Sequence, residues 1–186
     1  MVIYIRNMVS LRCKILVKQE LEQLGVSFIV IDLGEVKLTE KLSFDKRRQL
    51  KETLLKSGLE VMDDKKSIII EKIKNAVVEI IHYTDELPKM NFSNYLSEKL
   101  HHDYTYLSNI FTATKGITIE HYIIMQKVEK VKELLLYDEL TLGEIADRLH
   151  YSSTAHLSNQ FKKITGLTPT YFKSMKDHRR ICIEDV

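Results

Sequence analysis

Tryptophan is absent, and glycine and proline are scarce, with 6 and 2 residues in a chain of 186. Together they make about 4%, against about 12% in ordinary proteins. So few turn-formers argue against a many-stranded sandwich or barrel and favour long helices. Only two cysteines are present, Cys13 and Cys182; 169 positions apart, they build neither a disulfide framework nor a zinc finger. The longest run free of Asp, Glu, Lys and Arg is Leu149 to Phe161, 13 residues, short of the roughly 20 that span a bilayer, so no membrane partner is expected. The opening MVIYIRN lacks a basic-then-apolar leader and reads as a strand. The expected setting is the cytoplasm. Neither sign of charge dominates: 28 Lys and Arg against 26 Asp and Glu give +2. No P-loop, Gly-rich dinucleotide turn, nucleophile elbow or metalloprotease helix occurs, so no enzyme is expected. What is present, 44% hydrophobic and 29% charged residues, suits a folded chain of one large domain or two small ones.

An internal repeat organises the second half. Leu107-Ser108-Asn109-Ile110-Phe111 matches Leu157-Ser158-Asn159-Gln160-Phe161 at an offset of 50, as Gly116-Ile117-Thr118 matches Gly166-Leu167-Thr168 and Tyr122 matches Phe172. Upstream the offset is 49, with Leu96, Leu100 and His101 matching Ile145, Leu149 and His150, so one residue was gained or lost in the turn between. Each copy reads as helix, short turn, helix. In the second, Thr141 is a suitable N-cap for Glu144 to Leu149, and Tyr151-Ser152-Ser153 is the turn. A helix follows with Leu157, Phe161 and Ile164 on one face and Thr154, Ala155, Ser158, Asn159, Lys162 and Lys163 on the other. Gly166 ends it, and Thr168-Pro169 opens the next helix. Between the copies Ile119 to Tyr137 reads as one helix, apolar at Ile123, Ile124, Val128, Val131, Leu134 and Leu135. Nineteen residues at 1.5 Å each give a connector of about 28 Å. One turn of B-DNA is about 34 Å, so two recognition helices on this connector could reach successive major grooves on one face of a duplex.

These residues resemble the DNA-binding domain of the AraC/XylS family of bacterial transcription regulators over roughly residues 67 to 178. The likeness is carried by Glu144-Ile145-Ala146, Tyr151-Ser152-Ser153, Phe161-Lys162-Lys163, Gly166-Leu167-Thr168-Pro169 and Tyr171-Phe172. Lys127 stands where the linker helix of the family usually has Arg, Val131 where it usually has Ala, and Ser97 where the first unit usually has Ala. The resemblance implies a sequence-specific regulator with double-stranded DNA at an operator or promoter and RNA polymerase as partners; it leaves a homodimer open. The expected DNA-contacting residues are Thr105, Ser108 and Asn109 of the first unit and Thr154, Ala155, Asn159, Lys162 and Lys163 of the second. By the same resemblance Ser67 to Tyr83 is the opening helix, with Ile69, Ile73, Ala76, Val77 and Ile80 inward. From residue 65 onward 17 Lys and Arg face 16 Asp and Glu, but residues 153–180 hold Lys162, Lys163, Lys173, Lys176, Arg179 and Arg180 against Asp177 alone, a local excess of five. Such a patch is what phosphate binding needs.

Residues 1–64 differ in character. Val2 to Arg6 and Ser27 to Leu33 read as strands around a helix from Leu11 to Leu24, with Leu11, Ile15, Leu21 and Leu24 inward. Glu35 to Leu38, a helix capped by Ser43 and running to Lys56, and Leu59 to Met62 complete a βαββαβ order. The fold expected is therefore α+β. A small N-terminal ferredoxin-like domain (1–64), acting as sensor or interaction module, precedes an all-α domain of two helix-turn-helix units joined by a long helix (65–180) and a tail (181–186). The loop Met8-Val9-Ser10-Leu11-Arg12-Cys13 is similar to that of heavy-metal-associated domains, which bind soft metal through Met-x-Cys-x-x-Cys. Ser10 stands at the first ligand position, so Cys13 alone cannot form the two-thiolate site that Cu(I) prefers, and no cofactor is expected. Cys13 remains the one candidate metal or redox residue. The competing reading is a metal- or thiol-handling sensor whose helical half is accessory. The ferredoxin-like order with Arg12 and Asn7 also gives a fainter likeness to acylphosphatases, a matter of shape alone. His101 and His102 fall in the first turn, where a polar residue is needed in any case.

Overall fold

The computed structural model describes residues 1–84, 90–137 and 139–175. Two compact units make up the chain: Met1–Ala76 with Ser93–Ile110, and Val77–Phe92 with Phe111–Val186. The expected division at residues 64 and 65 falls inside the first of these.

The first unit opens with the βαββαβ order: β1 (Val2–Arg6), α1 (Leu11–Gln23), β2 (Phe28–Asp32), β3 (Glu35–Leu38), α2 (Phe44–Lys56) and β4 (Glu60–Met62). The strands form one antiparallel sheet in the order β2-β3-β1-β4, with Ile3 opposite Val36 and Ile5 opposite Val61. Alternation decides the faces: Ile3, Ile5, Val36 and Leu38 point at the helices and join Val17, Leu21, Leu50 and Leu54 in a core. Each such side chain fully buried contributes about 1.5–3 kcal/mol. Ser10 and Ser43 cap α1 and α2, their hydroxyls accepting from the N–H groups of Cys13 and Lys46. On α1 the expectation needs correcting. Leu11 and Ile15 are exposed, and the buried positions are Val17 and Leu21. At 100° per residue Leu11 and Ile15 lie roughly 100–140° round the helix from that pair, so no single face holds all four apolar residues.

The helix α3 (Lys65–Val78) follows. Asp64 caps it, its carboxylate accepting from the Ser67 N–H at 2.7 Å, which moves its start two residues ahead of the expected Ser67. Within the first unit Lys72 lies over the Tyr4 ring at 4.7 Å and pairs with Glu35 at 3.5 Å. Asn75 Nδ2 donates to the Leu33 carbonyl at 3.3 Å, beside Gly34 at the β2–β3 turn. Gly34 has φ +78°, and a Cβ there would collide with the Asn75 carboxamide.

In the second unit the chain leaves α3 through a π turn, Glu79–Tyr83. Within that turn Ile80 and Ile81 are buried and Tyr83 is exposed. The long connector is α6 (Ile119–Tyr137), with the bounds expected from sequence. Its Val128, Val131, Leu134 and Leu135 form a core with Ile145, Ala146, Leu149, Tyr151, Leu157 and Phe161. These last come from α7 (Leu142–Arg148), the turn after it, and α8 (Thr154–Thr165); residues 169–175 are again helical. The remaining helices, α4 (Phe92–Leu100) and α5 (Tyr104–Lys115), are the first copy of the repeat, and their residues 93–110 belong to the first unit. Among the described residues no helix is long and apolar enough to cross a membrane.

Candidate nucleic-acid interface

The repeat read from identities is a repeat of geometry. His101 and His150 both take positive φ, 54° and 52°, where each first helix gives way to the turn. Asp103 caps α5, its carboxylate accepting from the Thr105 N–H at 2.8 Å; Ser153 caps α8, its hydroxyl accepting from the His156 N–H at 3.1 Å. Leu107 and Phe111, like Leu157 and Phe161, are buried. Gly116 and Gly166, at φ 72° and 79°, end the two helices in the left-handed conformation that glycine adopts without strain. Beyond them Thr118 and Thr168 cap the next helix through the N–H groups of His121 and Tyr171. Phe111 meets Tyr122, and Phe161 meets Phe172, each with ring centroids 5.6 Å apart. Two sequences that share few identities thus repeat one scaffold, cap for cap and ring for ring.

The second copy of the repeat opens on a cap. Thr141 and Glu144 form a reciprocal capping box at the start of α7: the Glu144 N–H donates to Thr141 Oγ1, and the Thr141 N–H and hydroxyl donate to Glu144 Oε2. Those two donors hold the Glu144 carboxyl below the usual range. Lys127 of α6 donates from Nζ to the Leu149 carbonyl at 2.7 Å and lies over the rings of Tyr151 and Phe92, at 5.2 and 5.5 Å. Burial lowers its pKa. The same burial pushes the Tyr151 phenol up to about 12.

Packing of Leu157 and Phe161 into the core turns the rest of α8 outward. Thr154, Ala155, Asn159, Lys162 and Lys163 are all exposed. On α5 Thr105 and Asn109 are exposed and Ser108 is half-buried. Lys176, Asp177, Arg179 and Arg180 of the basic cluster, and Cys182, lie outside the described residues; Lys173 is half-buried. Sequence reading missed one pair of features. Tyr151 and His156 pack edge to face at 5.4 Å, and His102 and Tyr106 meet at the same 5.4 Å in the first copy. The two residue types have exchanged places between the copies, so a search for identities passes over them.

In the N-terminal loop Ser10 Oγ lies 3.2 Å from Cys13 Sγ. Partial burial acts to raise the thiol pKa, but the Ser10 hydroxyl and the N–H groups of Ser10, Val9 and Cys13 outweigh it and hold the thiol below its ordinary value. One thiolate beside a hydroxyl does not fit a soft metal that takes two thiolates. Among the described residues no group of three His, Cys, Asp or Glu converges on a common point.

Residues 96–175 match the family model described as a helix-turn-helix domain. Among related sequences, an uncharacterized HTH-type transcriptional regulator of Bacillus subtilis, YtdP, is 26% identical over 106 residues, 57% of this chain and 14% of that protein. The F1 operon positive regulatory protein of Yersinia pestis is 31% identical over 99 residues, 52% of this chain and 33% of that protein. Among solved structures, the C-terminal domain of the two-component response regulator yesN from Fusobacterium nucleatum is 35% identical, covers 55% of this chain and 95% of that one, and superposes with a TM-score of 0.46. The chain spans 14% of the length of the first curated relatives it matches. Residues 96–175 thus carry a helix-turn-helix domain, in agreement with the AraC/XylS resemblance drawn from the motifs.

Proposed function

We propose that this protein is a sequence-specific DNA-binding transcription regulator of AraC/XylS type that places α5 and α8 in successive major-groove segments of one duplex. The observation that carries the reading is the doubled scaffold: two helices each with a side-chain cap, a buried Leu–Phe pair and a glycine stop, each turning a polar face outward. A helix presented this way, polar at its N-terminal end and backed by a core, has the form that reads base edges. Thr105, Ser108, Asn109, Thr154, Ala155 and Asn159 are the base-facing set, and Lys162 and Lys163 are placed to meet phosphates. Double-stranded DNA is the partner in this reading and RNA polymerase a further one; the reading leaves a homodimer open. The βαββαβ module serves as sensor or docking element. The metal-handling form of the rival reading is disfavoured by the hydroxyl beside Cys13.

Footprinting of the whole chain on sequences selected from random DNA tests this. Two protected major-groove segments about 10 base pairs apart on one face, per monomer, are expected. A single short segment per monomer would contradict it.

A further inference from the structure

The two ring pairs passed over by sequence matching sit on the outward faces that the proposed function assigns to DNA. His156 is the third residue of α8, exposed between Ala155 and Asn159. Its ring is held twice. The Tyr151 ring packs against it at 85°, and Ser152 Oγ lies 3.0 Å from its Nδ1. The imidazole is therefore fixed before any partner arrives, and Nε2 is its remaining polar atom. In the first copy Tyr106 is the third residue of α5, 46% exposed, with its ring against His102 at 46°. Among the described residues neither the Tyr106 hydroxyl nor His156 Nε2 makes a hydrogen bond.

The two helices thus carry, at equivalent positions, an aromatic ring held by a second ring from the preceding turn and tipped by one unengaged polar atom. A core role does not explain either ring, because both lie on the exposed face and neither enters the buried clusters. A solvated surface residue does not explain the recurrence, since the stacked partner moves with it across the repeat. A ring held in place loses less conformational freedom on binding than a lysine or glutamine does, so its one hydrogen bond is directional and cheap to form.

We infer that Tyr106 and His156 are specificity-determining residues, each reading one base pair at the corresponding place of its own major-groove segment through its ring-tip atom. His156 Nε2 and the Tyr106 hydroxyl each meet a single acceptor or donor on a base edge. Their chemistry differs, so the two segments differ in sequence at that position. This inference rests on the DNA-binding reading above.

The test is selection of bound sequences from random DNA with the full-length wild type, His156→Phe and Tyr106→Phe. Phenylalanine keeps the packed ring: Tyr106→Phe removes only the hydroxyl and should melt with the wild type, whereas His156→Phe removes Nε2 together with the Nδ1 that meets Ser152 Oγ and should melt with Ser152→Ala. Each should lose base preference at one position of one segment, by about tenfold, with non-specific affinity and salt slope unchanged. Ser152→Ala, which frees Nδ1, should weaken the preference at the His156 position alone. Unaltered preferences in both Phe variants, with the wild type still selecting two segments, would overturn the inference and leave the DNA-binding reading standing. A loss shared equally by all sequences would make these residues phosphate contacts and overturn it as well. A wild type that selects no sequence would sink the DNA-binding reading, and this inference with it.

Discussion

Lys127, near the middle of α6, donates from Nζ to the carbonyl of Leu149, the residue that closes α7, at 2.7 Å. The ammonium fills the gap between connector helix and turn, with the faces of Tyr151 and Phe92 supplying the rest of its surroundings. A half-buried cation is costly to desolvate, and here a charge-assisted hydrogen bond and two aromatic faces offset that cost. Lys127→Met leaves the Leu149 carbonyl without this donor and should destabilise the second unit by about 2 kcal/mol in urea unfolding. Lys127→Arg, which keeps the charge, should cost less than half as much.

Tyr151 offers the opposite case. Its hydroxyl is buried and makes no hydrogen bond among the described residues. Tyr151→Phe removes an unsatisfied group and should stabilise the protein at pH 7 by about 1 kcal/mol. The phenol is pushed up to about 12 by burial. The unfolded chain loses this proton from about pH 10, while the native protein keeps it to about 12, so its contribution falls as pH rises through that window. The stability difference between Tyr151→Phe and wild type should therefore widen in the variant's favour above pH 10. Lys127, the charged group facing the ring, is present in both proteins and cancels in the difference. Denaturant midpoints at pH 7 and pH 11 provide the check.

In the first unit, Gly34→Ala should be among the most damaging single-methyl additions. The residue has φ +78°, and the new methyl meets the side chain of Asn75. Positive φ alone costs about 1–3 kcal/mol for a residue with a Cβ. A loss of about 2 kcal/mol or more is expected in thermal unfolding. By contrast Gly58→Ala, at φ +75° with no atom within 4 Å of the added carbon, should show the conformational cost alone.

Base reading and phosphate clamping should separate on α8. Asn159→Ala should weaken binding to the selected site by about 1–3 kcal/mol and leave non-specific binding and its salt dependence as they were. Lys162→Ala should weaken both kinds of binding and reduce the log–log salt slope by about 1. Titrations at several salt concentrations distinguish the two patterns; an Asn159→Ala effect equal on all sequences would make Asn159 a backbone contact.

Ser10 governs the chemistry of Cys13. Wild-type protein should hold Cu(I) only weakly, as measured by competition with a chelating dye. Ser10→Cys places a second sulfur where the hydroxyl now lies 3.2 Å from Sγ and should tighten Cu(I) binding by at least a hundredfold. It also removes the α1 cap, at about 1 kcal/mol of stability. Equal affinity in the two proteins would show that Ser10 does not limit the site.

Much of this architecture could be read directly from residues. Alternating Ile3 and Ile5, the serine caps at Ser10 and Ser43, and the glycine stop at Gly166 act over a few neighbouring positions, so the elements they bound agree with the structure to within one or two residues. The doubled helix-turn-helix pattern was legible for the same reason: each copy writes its cap, buried pair and stop into fixed spacings. The outward placement of Asn159, Lys162 and Lys163 follows from the inward packing of Leu157 and Phe161. Other features needed the chain to be folded. Which stripe of α1 is buried was decided by the sheet it packs on, which chose Val17 and Leu21 over Leu11 and Ile15. Lys127 reads as a surface lysine of an amphipathic helix; only the approach of Leu149, 22 residues later, turns it inward. The paired rings of His102 with Tyr106 and Tyr151 with His156 became visible only in space. The contact is conserved between the copies while the residue at each position is not, and packing responds to the shape of the pair rather than to which partner contributes which ring.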